Sequence, residues 1–376
     1  MTEIGLRDAL LMRRETEGPA AAGEREAAEH GDLAGEFPEE ALLGEAEAVM
    51  ALGRAQGFGE PYLIAPGVEA TLHPAGHALG SAWVRLDIDG GGTLAVSGDL
   101  GRHGHVLLRS PAPFTDADAV LVEAAYGEGR RPATDDRDHL AHVVFTTLDK
   151  GGTVLVPAGP VDHIATVLYE LARLRRVGCL PDGVSVYFDG PTGLDAVGVW
   201  RDALLAGDRE LCDEVLAFGP AAFDAGVLGG VRSPEASRHL RRAEGPRVII
   251  AGPHHGDGGR AGQHLLRLLP DERNAVILQG RAPVGSAAHA LARGAEVVRI
   301  GKAMVPVHAQ IAHLPGMTTH ADAGEIVEWL GHGREPGTTY VVHGTPEART
   351  ALCDRIRRTL GWHTENPSGN ASFTLR

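Results

Sequence analysis

An alternation of short apolar strands with helical stretches constrains the fold of this chain more than any other feature. The runs "TVLVPAG", "GVSVYFDG" and "PRVIIAGP" read as buried strands, and each is followed by a helical stretch. This rhythm is typical of a parallel α/β unit. Further towards the N-terminus, "AWVRLDIDGGGTLAVSGD" has alternating apolar positions on either side of "DGGG", which predicts a β-hairpin. The sequence therefore predicts an α/β fold with parallel and antiparallel strands.

The length and the N-terminal region suggest how the chain is divided. A chain of 376 residues with 43% hydrophobic residues predicts two domains, or one large domain with an insertion. Residues 1–60 are rich in Ala and Glu and predict broken helices, the best of which begins at Pro38. Neither a membrane-spanning run nor a secretory signal pattern is found, so a cytoplasmic protein without a membrane partner is expected.

Charge and cysteine content narrow the function classes. The net charge of −15 opposes phosphate binding over the whole surface, so any contact with nucleic acid must be local. The basic runs at 173–176 and 238–242 fall in helix-like segments and are better explained as solvated helix faces. The cysteines at 179, 212 and 353 form neither a disulfide framework nor a CxxC pair, and reduced thiols are expected.

Ionisable residues recur in sharp turns that follow apolar strands. They are His77 in "GHALG", Asp99 in "VSGDLGR", Glu123 in "LVEAAYG", His320 and Asp322 in "TTHADAGE", and His343 in "YVVHGTPE". Taken singly, a histidine after a strand is more often structural than a ligand. Imidazole and carboxylate groups together suit zinc or manganese, and their joint order, each in a turn, indicates a metal site.

These pieces resemble a known family. "AGHALGSAWVRL", "LAVSGDLGRHGHVLL" and "DAVLVEAAYGEGR" are similar to the metallo-β-lactamase half of the β-CASP nucleases, which include ribonuclease J and the pre-mRNA cleavage endonuclease. "RVIIAGPHHGDGGRAGQHLLRLLPDERNAVILQG" resembles the end of their β-CASP insertion. "VPVHAQIAHLPGMTTHADAGEIVEWL" and "YVVHGTPEA" resemble their C-terminal return to the first domain. The resemblance runs from about Tyr62 to the C-terminus.

The resemblance implies a fold class and a domain plan. The fold expected is α/β, a metallo-β-lactamase αβ/βα sandwich, incomplete at its N-terminus, with an inserted α/β β-CASP domain. Residues 1–130 would form a partial metallo-β-lactamase domain, 131–282 the β-CASP insertion, and 283–376 the C-terminal return. RNA would be the substrate, held in a groove between the two domains, and a homologous β-CASP chain or a second copy of this chain is a further expected partner.

The resemblance also implies roles for single residues. His77, Asp99 and His343 match metal ligands of the family, with Asp99 as the bridging carboxylate. Glu123 matches an acidic catalytic residue. His320, with Asp322 behind it, matches the histidine thought to contact the scissile phosphate or to protonate its leaving group. Gly258, Gly259 and Arg260 match a surviving part of the substrate-binding turn. In such enzymes two zinc ions activate a water and clamp the phosphate.

The sequence departs from the family pattern at several positions. The motif HxHxDH, which supplies four ligands in the family, is absent, and the only HxH is His103–His105, interpreted as loop residues beside the site. Three protein ligands and a water suit one zinc but not two, so none or one is expected here. A missing N-terminal part would also leave a sheet edge uncovered. An earlier reading frame, completion by another chain, and a remnant remain alternatives.

Three smaller departures affect the substrate groove. "EAAYG" places Ala124 and Ala125 where the family has hydroxyl residues, and Asp162 and His163 replace a Gly-Arg pair at the beginning of a helix. An aspartate there repels phosphate. "GPHH" replaces a "SSGM" turn, and its histidines, at 254 and 255, are better explained as solvated loop residues.

Three functions remain open from the sequence. The first is a zinc-dependent RNA phosphodiester hydrolase, acting in RNA processing or decay, with weak or no activity in this chain because the main metal motif is absent. The second is a non-catalytic family member that binds RNA or an active homologue. The third is a mononuclear hydrolase of a small ester or phosphate, which no specific feature supports.

Overall fold

The computed structural model describes residues 2, 48–129, 136–159, 161, 163–190, 192–369 and 371–373. It divides into two compact units. The parallel-sheet unit is built mainly from Thr134–Ala206 and Phe218–Met317. The mixed-sheet unit is built from Arg54–Ala133, Gly207–Ala217 and Thr318–Arg376. Each unit has a sheet of its own.

The strands of the described residues are numbered β1 to β15 in chain order. They are β1 Pro61–Ala65, β2 Val68–Pro74, β3 Ala82–Ile88, β4 Gly92–Val96, β5 Ala119–Glu123, β6 Thr153–Pro157, β7 Ser185–Asp189, β8 Val227–Val231, β9 Arg247–Ala251, β10 Ala275–Gln279, β11 Val297–Ile300, β12 Ala303–Pro306, β13 Gln310–Leu314, β14 Thr338–Val342 and β15 Thr364–Glu365.

The α-helices are numbered in the same way, and one 3₁₀-helix, Gly219–Phe223, accompanies them. They are α1 Asp136–Asp149, α2 Ile164–Arg176, α3 Gly193–Ala206, α4 Asp213–Phe218, α5 Pro234–Arg242, α6 Gly259–Leu268, α7 Ala287–Ala292, α8 Ala323–Leu330 and α9 Pro346–Leu360. The helix expected to begin at Pro38 lies mostly outside the described residues, although residues 48–51 are helical.

The mixed-sheet unit contains a seven-stranded sheet in the order β1-β2-β3-β4-β5-β14-β15. Strands β1 to β4 pair antiparallel, whereas β4, β5, β14 and β15 pair parallel. The predicted hairpin is confirmed: β3 and β4 pair antiparallel, and Ile88 lies opposite Gly92. Within the described part of the chain β1 is an edge strand of this sheet, and Leu63 and Ile64 on it are exposed.

An aromatic cluster forms the centre of the core of this unit. The rings of Trp83 and Trp329 meet edge to face with centroids 5.7 Å apart, and Phe114 lies 5.0 Å from Trp329. Both indole N–H groups donate hydrogen bonds to the same acceptor, the carbonyl oxygen of Ala112, at 3.0 and 2.9 Å. Buried indoles keep a partner for their N–H group in this way, so the hydrogen bonds offset the cost of removing these groups from water.

The parallel-sheet unit contains a six-stranded sheet in the order β13-β10-β6-β9-β7-β8, all strands parallel. Three of its strands, β6, β9 and β10, are buried at every position, as strands covered by helices on both faces should be. This confirms the parallel α/β unit predicted from the sequence. A two-stranded antiparallel pair, β11 and β12, belongs to the same unit.

A buried polar cluster ties strand β7 to helices α5 and α6. The carboxylate of Asp189 accepts hydrogen bonds from Ser237 at 2.6 Å and Arg260 at 2.6 Å, and lies 2.7 Å from His264 Nε2. Burial alone would raise the pKa of Asp189, but hydrogen bonds from His264 and Ser237 and the charge of Arg260 outweigh it and lower the pKa. The carboxylate is therefore charged and fully paired, as a buried charge must be.

The cysteines and the lengths of the helices bear on further features of the chain. All three cysteines are unpaired, as predicted. In the part of the chain that the structure describes, no helix is both long and apolar enough to span a membrane.

Candidate metal centre

The candidate site forms where four strands of the mixed sheet end. Strands β2, β4, β5 and β14 run in the same direction, because β2 and β4 are both antiparallel to β3 and the other two are parallel to β4. Their carboxyl ends therefore meet at one edge of the sheet. The sequence places His77, Asp99, Glu123 and His343 at or just after these ends, and His320 lies just before α8. The fold thus brings together residues that are far apart in the sequence.

The turn that carries His77 is held by its own backbone and by one hydroxyl. The backbone N–H groups of His77 and Ala78 both donate to the Ser81 hydroxyl at 3.1 Å. Gly76 has φ +68°, and a Cβ there would meet the carbonyl oxygen of Arg109 at 2.6 Å. The glycine is required both for the left-handed conformation and for this close approach. The turn orients a buried imidazole, which explains why a histidine lies among small residues.

Asp99 contacts two histidines with its two carboxylate oxygens. Oδ1 lies 3.0 Å from His343 Nδ1, and Oδ2 lies 3.9 Å from His77 Nε2. The hydrogen bond with His343 lowers the pKa of Asp99, and the same bond raises the pKa of His343. His343 has φ +49°, a left-handed conformation that is uncommon for a residue with a Cβ. Such a conformation is found where surrounding structure fixes a functional side chain.

Glu123 is buried and holds His320. Its Oε1 accepts a hydrogen bond from the backbone N–H of Leu100 at 2.6 Å, and Oε2 accepts one from that of Ala125 at 3.3 Å. His320 Nδ1 lies 3.2 Å from Glu123 Oε2. Burial alone would lower the pKa of His320, but the hydrogen bond to Glu123 and the charges of Glu123 and Asp99 raise it. Glu123 therefore fixes the ring and favours its protonated form.

The cluster has the donor set of a metal centre. His77, Asp99 and His320 form one group of three in which the donor atoms lie within 4.8 Å of one another, and Asp99, Glu123 and His343 form a second. Asp99 belongs to both groups. Nitrogen and carboxylate oxygen donors suit zinc, and three protein ligands are enough for a site that keeps an open position. The residues therefore fit a zinc ion.

The other residues predicted near the site have structural contacts. The Asp322 side chain caps helix α8: it accepts hydrogen bonds from the backbone N–H groups of Gly324 and Glu325, and the Glu325 side chain accepts one from Asp322 in return. His103 donates its backbone N–H to Glu325, and His105 Nδ1 accepts two backbone N–H groups of its own loop. These two histidines are loop residues, as the sequence indicated, and neither belongs to the two groups of metal donors.

The predicted substrate-binding residues lie in the parallel-sheet unit. Gly258 and Gly259 begin helix α6, and Gly259 has φ +58°. The Arg260 side chain is buried, and its guanidinium donates to Asp189 and to the carbonyl oxygens of Arg232 and Ser233. The structure thus gives Arg260 contacts inside the protein, and its role in substrate binding stays a prediction.

Two supporting residues were not predicted from the sequence. The Ser81 hydroxyl holds the His77 turn, and the "GHALGS" run could have pointed to it. The Glu210 carboxylate accepts the backbone N–H of Gly80 at 3.1 Å through both oxygens. No local signal marks Glu210, because it reaches the turn from 130 positions further along the chain.

Two family models match the chain. A Beta-Casp domain matches residues 164–291, and a Zn-dependent metallo-hydrolase RNA specificity domain matches residues 304–367. The first match covers strands and helices of the parallel-sheet unit. The second includes His320 and His343, so two residues of the cluster lie in a segment whose family is described as zinc-dependent.

The names of similar proteins refer to RNA cleavage or to transcription termination. The chain is 32% identical to ribonuclease TTHA0252 of Thermus thermophilus over 321 residues, which are 84% of this chain and 72% of that protein. It is 27% identical to transcription termination factor FttA of Pyrococcus abyssi over 336 residues, 85% of this chain and 50% of that protein. It is 26% identical to FttA of Methanocaldococcus jannaschii over 321 residues, 81% and 49% respectively. The chain thus spans about half the length of the FttA relatives.

The matched domains, the mixed α/β architecture and the similarity to a ribonuclease over most of its length agree with one another. The chain belongs to the β-CASP family of metallo-β-lactamase-fold nucleases.

Proposed function

We propose that this protein acts on RNA as a metal-dependent phosphodiester hydrolase of the β-CASP type, in RNA processing or decay. The observation that carries the proposal is Asp99, whose two carboxylate oxygens face His343 and His77. The RNA specificity domain matched at residues 304–367, and the ribonuclease among the relatives, support RNA as the substrate. The net charge of −15 confines the contact with RNA to a local surface.

We assign His77, Asp99 and His343 as zinc ligands. Asp99 belongs to both groups of donor atoms, whereas His77 lies in the group with His320 and His343 lies in the group with Glu123. Zinc bound there would supply Lewis-acid polarisation of a water and of the scissile phosphate. His343 orients Asp99, and the hydrogen bond between them lowers the pKa of Asp99 and favours its ionised form. The same hydrogen bond raises the pKa of His343, so His343 must lose its proton before it can bind a cation.

Glu123 and His320 are the residues that we assign to proton transfer. Glu123 accepts two backbone N–H groups and fixes the Nδ1 side of the His320 ring. With Nδ1 held, His320 can present the other ring nitrogen to the leaving oxygen of a phosphodiester, which is the geometry that a general acid requires. Asp322 supports this residue by capping the helix that follows it.

We further propose that cleavage by this 376-residue chain is slow. The sequence contains no HxHxDH motif, and Ala124 and Ala125 provide no hydroxyl groups beside Glu123. The same two features favour a second candidate function, a non-catalytic member of the family that binds RNA or an active homologue. The two candidates differ in whether zinc and the cluster are needed for the effect on RNA.

Cleavage of an end-labelled RNA oligonucleotide, with added zinc or manganese, tests the proposal. We expect slow hydrolysis that is lost in Asp99→Ala and in His320→Ala. The matched control is His363→Ala, which removes an exposed histidine of the same unit that pairs with Glu365. RNA binding without cleavage, unchanged in all three variants, would support the non-catalytic function instead. Cleavage that survives in Asp99→Ala would contradict both the assignment of the site and the proposal.

A further inference from the structure

The turn that carries His77 has a support from a distant part of the chain. Between α3 and the 3₁₀-helix the chain contributes residues 207–217 to the mixed-sheet unit. We name residues 207–213 the clasp. Glu210 in the clasp accepts the backbone N–H of Gly80 with both carboxylate oxygens at 3.1 Å. Gly80 ends the small-residue turn in which His77 lies.

The clasp itself is firmly attached to the loop beside this turn. Leu211 pairs with Leu108 in an antiparallel bridge, and the backbone N–H of Cys212 donates to the carbonyl oxygen of Leu107 at 2.8 Å. The side chains of Leu107, Leu108 and Leu211 are all buried. The backbone N–H of Arg109 donates to the Glu210 carbonyl oxygen at 2.8 Å. Glu210 therefore acts from a fixed backbone.

The environment of Glu210 explains why its contact with Gly80 matters. The carboxylate is partly buried, and it lies near Asp208, whose side chain accepts the Glu210 backbone N–H at 2.9 Å. A carboxylate removed from water and placed near a like charge needs hydrogen-bond donors, and the Gly80 N–H is one. The same bond gives the exposed end of the turn a fixed partner.

We infer that Glu210 is a positioning residue of the metal centre: by accepting the Gly80 N–H, it holds the 75–80 turn in the form that directs His77 towards Asp99. The inference rests on the proposed function, because it assumes that His77 binds a metal. It extends that function, because it states that a residue 130 positions away from the turn helps to orient a metal ligand. Outer residues of this kind set how well a ligand is oriented.

Three variants of the full chain separate positioning from general loosening of the clasp. Glu210→Ala removes both acceptor oxygens. Glu210→Gln keeps one oxygen that can accept the Gly80 N–H. Asp213→Ala is the matched control, because it breaks the exposed ion pair of the clasp with Arg109 and leaves Gly80 untouched. Thermal unfolding of each variant shows whether the protein is folded.

The first measurement is zinc affinity, by competition with a chromophoric chelator. We expect Glu210→Ala to weaken zinc binding about tenfold to a hundredfold, as for other residues that orient a metal ligand. Glu210→Gln should stay within about threefold of the wild type, since it retains an acceptor. Asp213→Ala should match the wild type. Equal zinc affinity in Glu210→Ala and the wild type would overturn the inference.

The second measurement is amide hydrogen exchange of Gly80 in the metal-free protein. We expect exchange at Gly80 to rise about tenfold or more in Glu210→Ala, because the acceptor of its N–H is lost, and to stay low in Glu210→Gln. If the wild type binds no zinc, the proposed function fails, whereas this exchange still decides whether Glu210 holds the turn. Unchanged exchange in Glu210→Ala would contradict the inference whatever the metal content.

Discussion

At the scale of single residues, the candidate site depends on reciprocal pairing of carboxylates and imidazoles. Asp99 pairs with His343, and Glu123 pairs with His320. The pKa of Asp99 falls and the pKa of His320 rises, in the directions that suit their assigned roles. The pKa of His343 rises as well, so a metal at this position must displace a proton. Glu210 is different, because burial and the nearby charge of Asp208 raise its pKa to about 7 in spite of the hydrogen bond from Gly80.

The raised pKa of Glu210 predicts a pH-dependent difference in stability between the wild type and Glu210→Gln. The pKa of Glu210 is about 7 in the folded chain, against 4.5 for an ordinary glutamate. Its protonated form therefore contributes stability that is fully present below pH 4.5 and is lost as the pH rises through 7. The glutamine variant has no charge to ionise. Its stability relative to the wild type should therefore increase between pH 5 and pH 8, by on the order of 1 kcal/mol because solvent screens a half-buried group.

Urea unfolding at several pH values measures this difference. Asp213→Asn is the control, since it changes an exposed carboxylate of the same segment. Its stability relative to the wild type should vary little over this range. A constant difference between Glu210→Gln and the wild type from pH 5 to pH 8 would contradict the assignment of a raised pKa to Glu210.

At the scale of elements, Asp322, which the sequence predicted to be catalytic, caps the N-terminus of helix α8. Asp322 and Glu325 form a capping box at the N-terminus of this helix. The spacing of Asp322 and Glu325 in "TTHADAGE" is the signature of such a box, so the sequence contained this signal. His320 lies two positions before the cap, and the cap therefore fixes where the chain enters the helix.

The cap predicts that Asp322→Asn and Asp322→Ala behave differently. Asparagine still accepts N–H groups and should keep most of the stability, whereas alanine should lose about 1 kcal/mol. If Asp322 acts only through the cap, Asp322→Asn should also retain whatever RNA cleavage the wild type shows. Unfolding curves and the cleavage assay check both parts. A loss of cleavage in a stable Asp322→Asn variant would show that the carboxylate takes part in the chemistry.

The buried cluster around Asp189 predicts a large effect on the parallel-sheet unit. In Asp189→Asn the guanidinium of Arg260 remains buried without its counter-charge, and this should cost about 3–5 kcal/mol of unfolding free energy. The control, Asp195→Asn, breaks the exposed ion pair with Arg232 and should cost less than about 1 kcal/mol. Chemical denaturation measures both. Equal small losses would show that Asp189 does not stabilise the cluster.

At the scale of the whole molecule, the sequence predicted the strands and the residues at their ends better than it predicted side-chain contacts. Apolar runs and their turns identify β4, β5 and β14, and parallel strands bring their ends together, so the cluster of Asp99, Glu123 and His343 follows from local signals. The sequence contains no such signal for the direction in which a side chain at the beginning of a helix points. The burial of the Arg260 side chain against Asp189 was therefore not predicted, and its role in substrate binding stays a prediction.

Contacts between distant segments account for the rest of what the sequence did not predict. Glu210 meets Gly80 only because residues 207–217 belong to the mixed-sheet unit, and no periodicity or motif marks that segment. The Asp189 cluster likewise joins residues from three separate elements. Such pairings depend on tertiary structure, and a single sequence contains no direct record of them.

The central claim is that Asp99, with His77 and His343, forms a metal centre. Elemental analysis of the purified chain, after loosely held ions are removed, tests this most directly. The account predicts one firmly bound zinc that is lost in Asp99→Ala, because Asp99 belongs to both groups of donor atoms, and retained in His363→Ala. No bound zinc in the wild type, or equal zinc in Asp99→Ala, would contradict it.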